Sequence, residues 1–363
     1  MTCISKLKLT NFRNYSSYKL DELEQGFVVL TGPNGSGKTN ILEAVSFLAP
    51  GRGLRRAKID EIRNHAANDS WAVSARVITG QSTHDIGTGS DPQSGQKRLV
   101  RIDGQNISAQ ANLGEYLSIF WLTPQMDSLF LDAASSRRRF LDRMILNFDP
   151  AHLGRTKRYE KALSQRSRLL KDGNADHSWL TALEIQMAQT GVALSAMRLD
   201  FISRLNKAFG EFDHPHFPDA HIKLSGFIED ELSKRPAVEL EERFCHALAH
   251  SREADSVTGG AAIGPHRSDF IAIHKDKNLR ADQCSTGEQK ILLTALVLAH
   301  AILVSYERIM PPVLLLDEVT AHLDEARRES LFSVLGKLGG QIWLTGTHRE
   351  LFGDLKARWV NLG

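Results

Sequence analysis

A glycine-rich segment near the start of the chain contains the first residues that could bind a ligand or take part in a reaction. In order, they are Gly32, Pro33, Asn34, Gly35, Ser36, Gly37, Lys38, Thr39 and Asn40. Glycines let the backbone curl so that its amides point at phosphate oxygens, and the N-terminus of a following helix adds positive potential. An apolar run at 27–30 precedes the segment and a helical pattern follows it, as in a P-loop. We therefore predict that residues 32–40 bind a nucleoside triphosphate.

Two acidic residues could supply the other half of such a site. Asp317 and Glu318 directly follow the apolar run 313–316, as in the Walker B arrangement. In that arrangement the first carboxylate supports Mg²⁺ and the second can activate water. We predict that Thr39 and Asp317 hold Mg²⁺ and that ATP is the nucleotide. Lys38 would reach the β- and γ-phosphates, and Glu318 would be the general base for hydrolysis.

Four further segments occur in an informative order. Gln125 follows an apolar strand pattern, residues 284–289 precede a helical pattern, residues 321–324 come soon after the two acids, and His348 follows another strand pattern. Taken singly, each is weak, because a helix cap or a structural histidine is common. Together they resemble the Q-loop, signature, D-loop and H-loop of ABC-type ATPases.

This resemblance implies an ATP-dependent homodimer. In that superfamily the signature helix of one subunit caps the γ-phosphate that the P-loop of the other subunit holds. Ser285 and Gly287 would thus donate hydrogen bonds to the nucleotide in trans. Gln125 would complete the metal ligands, and His348 would join the catalytic residues as a γ-phosphate sensor.

The elements that must position these residues predict an α/β fold. Strand patterns dominate the first ~120 residues, three helical patterns follow at 135–147, 152–171 and 177–208, and strands return near the C-terminus. We predict a P-loop ABC-type ATPase head with an inserted helical lobe that contains a short helical hairpin. The expected ranges are 1–122 and 255–363 for the ATPase lobe and 123–254 for the helical lobe.

Composition is that of an ordinary globular protein. The chain has 363 residues, 42% of them hydrophobic, and a net charge of +2. Its three cysteines have no metal spacing and are too few for a disulfide framework. No signal-peptide pattern is evident, and no apolar run approaches the ~18 residues of a membrane span. These features favour a cytoplasmic protein with no membrane partner.

Several other segments resemble those of the RecF family of bacterial recombination mediators. They are residues 9–15, Thr123-Pro124 with 137–142, Tyr159, Gln165-Arg166 and 264–269. The resemblance covers nearly the whole chain. It implies a slow, DNA-stimulated ATPase similar to SMC heads without their long coiled coils. Such a protein would act with RecR and RecO to load RecA at single-strand gaps, in replication-fork maintenance and the SOS response. It also implies a nucleotide contact for Arg13.

A basic cluster after the P-loop helix is our candidate DNA-binding surface. It consists of Arg52, Arg55, Arg56 and Lys58. Contacts from such side chains would go to the phosphates of gapped or duplex DNA, so binding would be salt-dependent and independent of sequence. Arg137, Arg138 and Arg139 start a helix and stay outside the predicted site.

Two alternative hypotheses, each from another class of protein, remain open. A transporter-type ATPase subunit is disfavoured by the long interval between Lys38 and Ser285. A nucleotide-dependent binding module with vestigial hydrolysis is disfavoured by the presence of Glu318, and a measured turnover would decide between it and an active ATPase.

Overall fold

The computed structural model describes residues 2–93, 97–108, 110–173, 176–211, 216–308 and 311–363. They divide into two compact units. The first unit is built from both ends of the chain, up to Asp127 and from Lys290 onward, with a short segment that ends at Pro218. The second comprises Ser128–Glu211 and Asp219–Gln289. The boundaries therefore differ from the expected ones, which lay after residues 122 and 254.

The elements follow one another in the order expected for a head with an insertion. The N-terminal part of the first unit contains β1 (Thr2–Phe12), β2 (Tyr15–Leu20), β3 (Gly26–Thr31), α1 (Lys38–Ser46), β4 (Ala72–Thr79), β5 (Ser82–Ser90), β6 (Arg98–Ile102), β7 (Gln105–Asn106), α2 (Leu113–Tyr116) and β8 (Ile119–Leu122). The second unit contains α3 (Ala134–Leu146), α4 (His152–Lys171), α5 (His177–Glu211), β9 (Ala220–Ser225), α6 (Phe227–Leu232), α7 (Ala237–His250), α8 (Arg252–Thr258), β10 (Asp269–His274) and β11 (Leu279–Arg280). The C-terminal part contains α9 (Thr286–Glu307), which begins in the second unit, then β12 (Val313–Leu316), α10 (Glu325–Lys337), β13 (Gln341–Gly346) and β14 (Ala357–Asn361).

A parallel sheet forms the centre of the first unit. Its five strands lie in the order β14-β3-β13-β12-β8, and all the pairings are parallel. Strands β8 and β12 are continuous apolar runs because parallel strands are usually covered on both faces, whereas the edge strand β14 contains Arg358 and Asn361. Every residue of β12 and β13 is buried. The α/β prediction is therefore confirmed.

An antiparallel sheet completes the first unit, in the order β2-β1-β4-β5-β6-β7. Its last hairpin turns at Asp103-Gly104, as predicted, with φ of 50° and 81° at the two residues. Positive φ at both central residues fits the right-handed twist of the flanking strands. The strands β2, β5 and β14 were not predicted; β5 reads Ser-Thr-His-Asp-Ile-Gly-Thr-Gly-Ser and has only one large apolar residue.

The second unit contains the predicted helical hairpin. Helices α4 and α5 match the expected patterns closely, and α5 continues to Glu211. The turn between them includes Gly173 with φ of 70°, which suits a residue without Cβ. The hairpin buries Tyr159, Met187 and their apolar neighbours against α7. One feature differs from expectation: β10 pairs with β9 inside this unit, although its residues fall within the range 255–363 that was expected to belong to the ATPase lobe.

Among the described residues, helix α9 alone is long and apolar enough to cross a membrane, with a mean hydropathy of 1.6. This differs from the expectation that no apolar run approaches the length of a membrane span. However, 72% of its apolar window is buried inside the protein. The helix is therefore accounted for as a core helix, since such helices are apolar on all sides.

Candidate functional site

Residues from four sequence motifs lie at one edge of the parallel sheet. The P-loop follows β3, His348 follows β13, Asp317 follows β12 and Gln125 follows β8. Because the carboxyl ends of parallel strands meet at the same edge, the strand order brings these motifs together. Ligands of open α/β sheets bind at this edge. Gln125 and His348 are both exposed there.

The P-loop has the geometry of an anion-binding turn. Gly37 has φ of 102° and directly precedes Lys38, the first residue of α1. Lys38 is 5% exposed, and its Nζ donates to the carbonyl oxygens of Gly32 at 2.7 Å and Pro33 at 2.9 Å. The hydroxyl oxygen of Ser36 is buried and has no hydrogen-bond partner among the described residues. A phosphate oxygen would satisfy such a group.

Thr39 and Asp317 are in direct contact, although 278 positions separate them in the sequence. The Thr39 hydroxyl lies 3.1 and 3.0 Å from the two carboxylate oxygens of Asp317. The Thr345 hydroxyl donates to the same carboxylate at 2.7 Å. Burial raises the pKa of Asp317, while the hydrogen bonds from Thr345 and Thr39 and the charge of Arg55 oppose that rise. The Walker A and Walker B residues therefore form one cluster.

The donor set of this cluster fits Mg²⁺. A hydroxyl oxygen and a carboxylate are hard ligands, and Mg²⁺ commonly takes one or two protein ligands plus phosphate oxygens and water. Within the described ranges, no group of three or more His, Cys, Asp or Glu side chains could hold a metal ion. A metal at Thr39 and Asp317 would thus need a bound phosphate to complete its coordination.

Glu318 has a left-handed backbone conformation with φ of 53°. Its N–H donates to the Thr345 hydroxyl at 2.8 Å, so one threonine contacts both acids of the Walker B pair. A non-glycine residue at positive φ costs of order 1 kcal/mol and often marks a functional site. Thr345 was missed by sequence reasoning, because a threonine at the end of a strand is not a distinctive signal.

The turn between β1 and β2 packs against the P-loop. A Cβ at Gly37 would collide with the Tyr15 hydroxyl and lie 2.7 Å from Nδ2 of Asn14. The Asn14 side chain also accepts a hydrogen bond from Asn40 at 2.7 Å. Arg13, which we expected to contact the nucleotide, forms a bidentate ion pair with Glu43 at 2.8 and 2.6 Å.

The four residues of the predicted DNA-binding cluster, Arg52, Arg55, Arg56 and Lys58, are all exposed. Lys58 lies 4.0 Å from the carboxylate of Glu61. Arg55 donates to Glu43 at 2.8 Å and to Asn40 at 2.6 Å, and its side chain is 36% exposed. Arg55 therefore lies at the P-loop helix.

Arginines of two other basic segments, 97–101 and 137–139, make internal contacts, whereas Lys97, Arg101 and Arg139 are exposed. Arg98 is buried and donates to the carbonyls of Phe47, Ala49 and Gly51 just after α1. In the second unit, Arg137 pairs with Asp269 at 2.7 Å, and Arg138 donates to the carbonyl of Ser268. A basic segment in the sequence therefore contributes fewer exposed positive charges than its number of Lys and Arg residues indicates. A buried arginine instead stabilises loops by binding several carbonyl oxygens.

The signature segment lies in the second unit and forms a capping box at the start of α9. The backbone N–H and the hydroxyl of Ser285 donate to Glu288 at 2.8 and 2.9 Å. Lys277 forms an ion pair with the same carboxylate. Hydrogen bonding to Lys277 and Ser285 lowers the pKa of Glu288 to about 2. Both donors of Ser285 are therefore engaged within the same chain, and Gly287 follows in the first helical turn.

Comparisons with known proteins show the family of the chain. Residues 3–358 match the family described as RecF/RecN/SMC N terminal domain. The chain is 47% identical over 359 residues to the DNA replication and repair protein RecF of Mesorhizobium japonicum, covering 98% of this chain and 94% of that protein. It is 44% identical over 357 residues to the same-named protein of Rhizobium rhizogenes, covering 98% and 95%.

Solved structures agree on the fold. The structure of the recombination mediator protein RecF-ATPrS in the RecFOR pathway superimposes with a TM-score of 0.85 at 22% identity, covering 98% of this chain and 94% of that one. An Smc head domain from Pyrococcus furiosus gives a TM-score of 0.53 at 16% identity, covering 97% and 91%. The α/β head fold is thus common to all three. The chain belongs to the RecF family of DNA replication and repair proteins.

Proposed function

We propose that this protein is an ATP-dependent DNA-binding ATPase that closes as a homodimer on gapped or double-stranded DNA. The observation that carries the proposal is the contact of the Thr39 hydroxyl with both oxygens of Asp317, at 3.1 and 3.0 Å. It joins the P-loop helix to the acid at the end of β12. With the buried Lys38 one residue before Thr39, this cluster has the parts that phosphoryl transfer from ATP requires.

The residues around this contact have distinct roles in the proposed reaction. The P-loop amides and Lys38 would hold the phosphates, and Thr39, Asp317 and Gln125 would hold Mg²⁺. When bound, Mg²⁺ would neutralise charge on the phosphate oxygens. Glu318 would orient the attacking water and accept its proton.

ATP-dependent dimerisation is proposed from the signature segment. Ser285 and Gly287 would donate to the γ-phosphate bound by a second copy, and His348 would sense the same phosphate. Because a serine hydroxyl has one proton, its bond to Glu288 has to open before Ser285 can donate to phosphate. Slow hydrolysis would then remove the phosphate and release the dimer.

DNA binding is assigned to the exposed basic residues Arg52, Arg55, Arg56 and Lys58. Contacts from these side chains to phosphates carry no sequence information, so gapped and duplex DNA would be bound without base preference. A closed dimer would present two copies of this surface.

The cellular role is proposed from the relatives. Those named above are DNA replication and repair proteins, and the similar solved structure is of a mediator in the RecFOR pathway. We infer that this protein acts in the cytoplasm with RecR and RecO, helps load RecA indirectly, and contributes to replication-fork maintenance and the SOS response.

The test is fluorescence anisotropy of a labelled gapped duplex titrated with the protein in the absence of nucleotide, with ATP or with ADP. Three proteins are compared: the wild type, Lys38→Met and Glu318→Gln. We expect tight binding with ATP only, loss of that binding in Lys38→Met, and a longer-lived complex in Glu318→Gln. Phosphate release measured in the same samples reports turnover.

The outcomes separate the parts of the proposal. Binding that ignores nucleotide would refute ATP gating, and absence of binding would refute DNA as the partner. Equal phosphate release by the wild type and Glu318→Gln would show that Glu318 is not the base. ATP-gated binding without any phosphate release would instead identify a binding module with vestigial hydrolysis.

A further inference from the structure

Glu43 is a buried carboxylate of the P-loop helix that the proposed reaction does not use. Its side chain is 0% exposed and accepts hydrogen bonds from two arginines. Arg13 binds it through Nε at 2.8 Å and Nη2 at 2.6 Å, and Arg55 binds it through Nη1 at 2.8 Å. A buried carboxylate is costly unless it is paired, and one bidentate arginine already neutralises it. The second arginine therefore leaves the cluster with a net positive charge.

This charge lies beside the phosphate-binding turn. Glu43 is four residues after Thr39 in α1, so both side chains are on one face of the helix, one turn apart. Arg55 also donates to Asn40 at 2.6 Å, and its charge acts on the carboxylate of Asp317. The two arginines are thus held next to the first turn of the helix, where the P-loop ends.

Glu43 joins two loops that approach α1 from different parts of the sequence. Arg13 comes from the turn after β1, where its φ is 52°, and its Nη1 donates to the carbonyl of Glu61 at 2.8 Å. Arg55 comes from the segment after α1, where the N–H of Leu54 donates to Ser46 at 2.7 Å. The carboxylate of Glu43 is the group that both guanidinium groups share.

We propose that Glu43 is a positioning residue of the nucleotide site, which holds Arg13 and Arg55 against the P-loop helix so that their excess positive charge favours a triphosphate over a diphosphate. The physical reason is that ATP carries more negative charge than ADP, and a fixed cation near the phosphates attracts the more charged nucleotide more strongly. This inference rests on the proposed nucleotide binding and adds a specificity element to it.

The test is calorimetric titration of the full-length wild type, Glu43→Gln, Glu43→Asp and Asp85→Asn with Mg²⁺-ATP and with Mg²⁺-ADP. Asp85→Asn is the matched control, because Asp85 also forms a bidentate pair with an arginine, at 2.9 and 3.1 Å, but on the exposed surface. Thermal unfolding of each protein, recorded without nucleotide, separates binding from stability.

We expect Glu43→Gln to weaken ATP binding about tenfold or more and ADP binding less than about threefold, since about one charge-assisted hydrogen bond to each arginine is lost. Glu43→Asp keeps the charge and should recover most of the ATP affinity. Asp85→Asn should bind both nucleotides like the wild type.

If Glu43→Gln does not fold, Arg55→Gln tests the role of the charge directly, because it removes the excess charge and leaves the pair of Arg13 with Glu43 intact. It should also lower ATP affinity more than ADP affinity. Equal losses for both nucleotides, or a variant indistinguishable from Asp85→Asn, would overturn the inference. A wild type that binds neither nucleotide would overturn the proposed function and this inference with it.

Discussion

Lowering the pH from 7 to 5 should destabilise the second unit through His266. Its Nδ1 lies 2.7 Å from the Tyr159 hydroxyl, and its Nε2 lies 2.9 Å from the carbonyl of Ala261. A carbonyl can only accept, so the hydrogen-bond network assigns the proton of the neutral ring to Nε2, and Nδ1 accepts from Tyr159. Protonation of Nδ1 would require the Tyr159 hydroxyl to turn from donor to acceptor in a buried position. Burial lowers the pKa of His266 from 6.5 to about 4.

The magnitude follows from this shift. Between pH 6.5 and about 4 the unfolded chain binds a proton at this position and the folded chain does not. The free energy of unfolding therefore falls as the pH falls through this window, by about 2 kcal/mol between pH 7 and pH 5. Burial raises the pKa of Asp142, but Arg198 and His152 oppose that rise and hold it at about 2. Protonation of Asp142 therefore lowers the free energy of unfolding only below pH 3.8. His266 and Asp142 thus affect stability in separate pH ranges.

The assay is hydrogen exchange of peptides from α4 and β10 at pH 7 and pH 5, corrected for the intrinsic exchange rates. It reports the opening of the second unit by itself, which matters because two units need not unfold together. The comparison is with His266→Gln, which keeps an amide donor and an acceptor but does not titrate. Between pH 7 and pH 5, the free energy of opening of the second unit should fall by about 2 kcal/mol more in the wild type than in this variant. Equal losses in the two proteins would refute the assignment of the low pKa to His266.

Three other substitutions have expected outcomes. Gly37→Ala should abolish ATP binding in the calorimetric titration, because the new Cβ would collide with Tyr15 at a position where φ is 102°. Arg166→Met should lower the free energy of unfolding of the second unit by about 3–5 kcal/mol, measured by urea denaturation, because the buried carboxylate of Asp255 loses its arginine and the buried carboxylate of Glu184 keeps only Arg252. Thr345→Val should lower the rate of ATP hydrolysis about 10- to 100-fold with near-normal thermal stability, since the hydroxyl that orients Asp317 is removed.

Controls for these variants come from the same units. Gly35→Ala also has a positive φ, of 85°, but its Cβ would meet nothing within 4 Å, so it should impair ATP binding less than Gly37→Ala. Lys234→Gln breaks an exposed ion pair and should change the free energy of unfolding by less than about 1 kcal/mol. Thr345→Ser keeps the hydroxyl and should retain most of the activity. If a control matches its test variant, the corresponding contact does not have the role given to it.

The sequence predicted the elements that position the candidate nucleotide site. The P-loop pattern placed the start of α1, and the apolar run before Asp317 matched β12 at both ends. Such segments are predictable because local pattern and burial agree: a run of four buried residues in a parallel strand has to be apolar. Strand β5 was missed because its polar residues give no such pattern.

Side-chain partners could not be predicted, and the arginines illustrate why. In the sequence, Arg55 is one member of a basic cluster, and so is Arg98. In the structure Arg55 pairs with Glu43 and Arg98 binds three carbonyls after α1. Whether an arginine is solvated or buried depends on carboxylates and carbonyls that approach from distant parts of the chain, and no local pattern encodes them.

The same contacts connect the nucleotide site to the exposed basic residues. Arg52 and Arg56 belong to the segment that follows α1. Before Arg52, Arg98 of β6 binds the carbonyls of Gly51 and of Phe47 at the end of α1, and after Arg52, Arg55 binds Glu43 of α1. A displacement of α1 on nucleotide binding would therefore be transmitted to this segment and to the cations that it presents. Coupling of this kind requires a contiguous set of packed and hydrogen-bonded groups that both sites can bias. The segment after α1 supplies one, so we expect the nucleotide to change DNA affinity by moving these charges.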